Sequence, residues 1–99
     1  MVYKIKVKDV EEFEELLNNK DIRISKSIVL GILENLTGKK KHIHVLEVYI
    51  KNEDSIIDIT CHREDFIETL EENLETHVYH EDYEACVGIK MAIDYLKGE

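Results

Sequence analysis

The chain has no proline and no tryptophan, only four glycines and two cysteines among its 99 residues, and a small share of aromatic side chains. Without proline no helix or strand is interrupted by a missing backbone donor, so every segment with a clear period can run its full length. Cys61 and Cys86 could form at most one bridge, and the absence of a secretory pattern favours two reduced thiols. The longest apolar run, Ile28 to Leu30, is far below the roughly 20 residues needed to span a bilayer. The opening Met1-Val2-Tyr3-Lys4-Ile5-Lys6-Val7 alternates apolar and charged residues, unlike a signal peptide, which makes a cytoplasmic location the expectation. Basic residues are in the minority as well. A formal charge of −9 opposes attraction to nucleic acid and anionic lipid, and points to a protein surface as partner.

A chain of this length with 43% hydrophobic residues fits a single domain over 1–99 with a modest core. Val2 to Val7 has the alternation of a strand with one buried face. Asp9 stands at an N-cap position ahead of Val10, Phe13, Leu16 and Leu17, which follow helical spacing. Ile22 to Ile24 reads as a short extended segment, after which Ser25 or Ser27 caps a buried helix carrying Ile28 to Leu36. Gly38 is the expected left-handed stop, with Lys39, Lys40 and Lys41 at the negative helix end. The segments 42–50 and 55–61 read as an antiparallel hairpin, with a bulge reconciling the mixed pattern at Val45-Leu46. Phe66, Ile67, Leu70, Leu74 and Val78 form the stripe of the next helix. The whole is an α+β fold: a small antiparallel sheet packed with about four helices, in which 63–97 is a C-terminal helical hairpin.

That last quarter carries the most pattern. Its second helix, from Glu81 to Leu96, places Tyr83, Cys86, Val87, Ile89, Ile93 and Leu96 near one another on a helical surface. With Leu70 to Glu75 before it, the run Asp82, Tyr83, Glu84, Cys86, Ile89, Lys90, Ile93 and Leu96 resembles the UVR motif, a helical hairpin of bacterial excision-repair subunits and protease adaptors. Val87, Gly88 and Met91 depart from the family pattern. The resemblance implies association with another hairpin or a partner protein, and no chemistry of its own. The expected contact residues are Tyr79, Tyr83, Ile89, Lys90, Ile93 and Tyr95, in a regulator of phage or mobile-element type that binds a partner or itself.

Other constellations are thinner. His42-x-His44, His62 beside Cys61, and His77-x-x-His80 contain Zn²⁺-type ligands, but their spacing matches no closed structural zinc pattern, and no metal or cofactor is expected. A small metal-dependent or RNA-processing enzyme built on His42, His44 and His62 is the third reading. The second is an acidic inhibitor or nucleic-acid mimic, because Glu11, Glu12, Glu14, Glu15 and Glu71, Glu72, Glu75 present carboxylates opposite apolar stripes. No catalytic triad or glycine-rich phosphate loop stands out, so no catalytic residue is assigned.

Overall fold

The computed structural model describes residues 3–98. Strand β1, Tyr3–Val7, is the first described element, with Ile5 and Val7 turned inward and the expected start at Val2 lying outside the described residues. Helix α1, Val10–Asn18, starts where Asp9 caps it: the carboxylate accepts from the Glu12 amide at 2.9 Å, answering one of the donors a helix leaves unpaired. Helix α2 runs Ile22–Leu33 and begins earlier than the serines suggest. Asp21 is its cap, accepting from the Arg23 amide at 2.9 Å, so Ile22 to Ile24 is helical, not extended. The serines have tertiary roles instead. Ser27 Oγ donates to the Val45 carbonyl at 2.6 Å, and Ser25 Oγ to Asn73 Oδ1 at 2.7 Å.

The expected glycine stop at the end of α2 does not occur, since the helix closes at Leu33 and no described glycine has a positive φ. Arg63 supplies the missing termination from a distance. Its guanidinium donates to the carbonyls of Asn35 at 2.8 Å, Leu36 at 3.2 Å and Lys40 at 2.7 Å, capping the chain just beyond the helix.

Strands β2, His42–Ile50, and β3, Ser55–His62, form the anticipated antiparallel hairpin, and the register shifts between His44 and Leu46 as the mixed pattern requires. The extra residue lies in β2, which lets Val45 and Leu46 both be buried. The sheet order is β1-β2-β3, with β1 parallel to β2. That pairing corrects the expectation of a wholly antiparallel sheet: the α1–α2 crossover returns the chain in the same direction. Ile5, Val7, Leu46, Val48 and Ile50 join Val29, Ile32, Phe66 and Leu70 in one core.

Helix α3, Phe66–Tyr79, and helix α4, Tyr83–Lys97, complete the α+β fold as a hairpin. Phe66 and Leu70 are fully buried, but Val78 is not part of the inward stripe. His77 takes the inward position one residue earlier, with Nδ1 3.1 Å from Asp82 Oδ2 across the α3–α4 turn. A second tie runs between the two helical turns, where His80 Nε2 meets the Lys20 carbonyl at 2.6 Å. Among the described residues, no helix is long and apolar enough to cross a membrane.

Candidate docking surface

The α4 sequence carries apolar residues around most of its circumference, and the fold divides them in two. Cys86, Ile89, Ala92 and Ile93 turn inward and are buried. Ile89 and Ile93, expected in the contact surface, are 0% and 7% exposed and belong to the core. The other series stands outside: Tyr83 is 62% exposed, Val87 59%, Met91 68% and Tyr95 46%. These positions recur every fourth residue, and at 3.6 residues per turn they trace a stripe drifting about 40° per step along the outer helix face.

Beside the stripe lies an open groove of about 380 Å³ lined by Leu33, Leu36, Thr37, Gly88, Met91, Ala92 and Tyr95. Gly88 forms part of it. A Cβ placed there would meet nothing within 4 Å, so no contact inside the chain calls for glycine at this mid-helix position. Glycine there costs about 1 kcal/mol of helix stability relative to alanine.

Tyr79, Lys90 and Tyr95 are exposed. Tyr79 has neighbours of its own: Lys20 Nζ stands 5.6 Å from the ring centroid and His80 lies edge-on at 5.1 Å. It belongs as much to the junction between the two helical turns as to an outer surface. Val87 and Met91, by contrast, were not among the expected contact residues. The signal for them was the second apolar series at four-residue spacing, overlaid on the series that forms the core.

The histidines do not converge. His42 and His62 face one another across β2 and β3 with ring centroids 5.9 Å apart, while His44 Nε2 is 3.2 Å from Asp58 Oδ1 and 3.1 Å from the Leu46 carbonyl. His77 and His80 turn to different partners, Asp82 and the Lys20 carbonyl. Among the described residues, no group of three or more histidine, cysteine, aspartate or glutamate side chains is arranged to hold a metal ion. Cys61 and Cys86 are free and buried, and burial pushes the Cys61 thiol above its ordinary pKa, away from the reactive thiolate.

Charge is sorted by element. Helix α1 carries Glu11, Glu12, Glu14 and Glu15 with no basic residue, and α3 carries Glu68, Glu71, Glu72 and Glu75 with no lysine or arginine. Helix α4 instead mixes Glu84 and Asp94 with Lys90 and Lys97. The apolar stripe therefore sits on the helix with least net charge, where a protein surface can approach without strong repulsion. Comparison with protein-family models, curated proteins and solved structures gave no match.

Proposed function

We propose that this chain is a protein-binding module whose contact surface is the outer face of α4 together with the groove beside it. The observation that carries this reading is the exposure of Tyr83, Val87, Met91 and Tyr95 in one continuous stripe. Large apolar side chains scattered singly need no explanation, but a contiguous row beside an apolar groove is the kind of surface that partners cover. Burying such side chains contributes about 1.5–3 kcal/mol each when complete, so a few of them support specific binding. The fitting partner is an apolar helix face of another protein or of a second copy, with a bulky side chain seated over Gly88. The resemblance to the UVR hairpin favours the same mode of action.

The test is affinity capture from the native cell with wild type and with Val87→Asp/Met91→Asp, each checked for an unchanged circular dichroism spectrum and melting temperature. The double variant is expected to lose the captured partner, while Glu71→Lys on α3 retains it. Equal capture by wild type and the double variant would remove α4 as the contact surface.

A second reading rests on the sorted charge. Helices α1 and α3 each carry four glutamates and no lysine or arginine, which gives each an acidic face suited to a basic groove in a partner. Binding of that kind weakens steeply between 50 and 500 mM salt, on the order of tenfold or more, whereas binding through the α4 stripe does not.

A further inference from the structure

We propose that β3 is a dimerisation strand: its free edge pairs antiparallel with the β3 edge of a second copy, joining two three-stranded sheets into one continuous sheet. The two sheet edges, β1 and β3, differ in character, and neither involves α4. Strand β1 carries Lys4 and Lys6, with Lys8 just beyond it, and lysines on an edge discourage further pairing. Strand β3 has no lysine and no proline, and the bulge in the β2–β3 ladder is carried by β2, so β3 is regular from Ser55 to His62. Ile56 is 60% exposed and Ile57 37%. A long, regular edge with exposed isoleucines and no lysine, proline or bulge invites another strand.

The sequence of β3 specifies which strand fits. Ile57, Ile59 and Cys61 pair with Val48, Leu46 and Ile43 on the core-facing side, and Ile56, Asp58, Thr60 and His62 share the opposite face. In an antiparallel pair, opposite residues must share a face, which restricts the self-pairing registers to steps of two residues. Centring the two-fold axis on Asp58 places two carboxylates directly opposite one another, which is unfavourable. Centring it on Ile59 removes that conflict. Ile59 then meets the second copy's Ile59, Ile57 meets Cys61, Ile56 meets His62, and Asp58 meets Thr60 with His62 at the diagonal position. The core-facing pairs are all apolar, and the one acidic side chain on the strand lies near a hydroxyl and an imidazole. The contact is isologous and closes as a dimer, so it satisfies the edge without propagating into fibres.

A single strand pair lies at the small end of interface sizes, so association is tested over protein concentrations from about 1 to 100 μM. Sedimentation equilibrium across that range is expected to show dimer for wild type and monomer for Ile56→Lys/Thr60→Lys, whose lysines on an exposed face restore edge protection. Circular dichroism and melting temperature establish that the variant remains folded. Register is read separately with Ile59→Cys, which is expected to form an intermolecular disulfide under mild oxidation while Val87→Cys on α4 does not. Wild type that stays monomeric up to 1 mM, a folded lysine variant that still dimerises, or cross-linking through Val87→Cys in place of Ile59→Cys would overturn the proposal. The last result would assign self-association to α4 instead.

Discussion

Arg63 directs its guanidinium at backbone carbonyls and not at a carboxylate, and this choice has an energetic consequence. Three charge-assisted bonds reach Asn35, Leu36 and Lys40, while the Phe66 ring lies 4.9 Å from the guanidinium carbon. Removing the side chain takes the guanidinium donors from these carbonyls, leaving Asn35 only the Gly38 amide at 3.4 Å, and bonds to charged groups contribute about 1.5–3 kcal/mol each before compensation by water. Arg63→Ala is expected to destabilise the fold by about 2–4 kcal/mol, read as a lower urea midpoint at unchanged slope. Arg63→Lys recovers only part of this, because an ammonium cannot reproduce the planar fork. Asp21 offers a pH-dependent counterpart. The Arg23 side chain at 2.9 Å, aided by backbone amides, holds its carboxyl below the ordinary carboxylate pKa. A pKa lowered by folding adds stability above the unfolded value and loses it as pH falls through the folded value. Asp21→Ala should therefore cost about 1 kcal/mol near pH 7, through loss of the cap, with the gap to wild type narrowing below about pH 4. Paired urea titrations at the two pH values measure that narrowing.

Among the elements, two helical glycines look alike in sequence and differ in the fold. At Gly31 an added Cβ would stand 2.9 Å from Val45 Cγ1, against a buried residue of the bulged strand. Gly31→Ala gains helix propensity of about 1 kcal/mol but forces Val45 aside, with an overpacking cost of about 1–3 kcal/mol, so a net loss is expected. Gly88→Ala meets open space and should raise stability by about 1 kcal/mol while filling part of the groove beside Met91. Thermal melts of the two variants should thus shift in opposite directions. The sequence pattern could not separate these glycines, because the neighbour that decides between them is 14 residues along the chain in one case and missing in the other. The same reason marks the limits of legibility elsewhere. Asp9, the bulge near Val45 and the α3–α4 hairpin were readable because each depends on adjacent residues. The start of α2, its termination by Arg63 and the parallel pairing of β1 depend on choices among competing caps or on distant partners. On α4 the sequence pattern groups Tyr83, Cys86, Val87, Ile89, Ile93 and Leu96 on one surface, and packing divides that group, with Cys86, Ile89 and Ile93 inward and Tyr83 and Val87 outward.

Across the whole molecule, the excess negative charge is concentrated on α1 and α3, and the surfaces suited to contact are elsewhere. The apolar stripe lies on the charge-balanced α4, and the lysine-free sheet edge is β3, where Asp58 already has His44 at 3.2 Å. The four glutamates on α1 and the four on α3 repel one another through the long-range field of the molecule. With a Debye length of about 30 Å at 10 mM salt and about 8 Å at 150 mM, their mutual repulsion is felt at low ionic strength and largely screened near physiological values. Melting temperature should therefore rise by about 2–5 °C between 10 and 300 mM sodium chloride, in proportion to a relief of roughly 0.5–1 kcal/mol. Glu72→Lys/Glu75→Lys should raise the low-salt melting temperature and flatten its dependence on salt, whereas Glu84→Lys on balanced α4 should change the slope much less. If all three proteins showed the same slope, the charge would act as a diffuse whole-molecule field, and the glutamates of α3 would lose their standing as a distinct acidic surface.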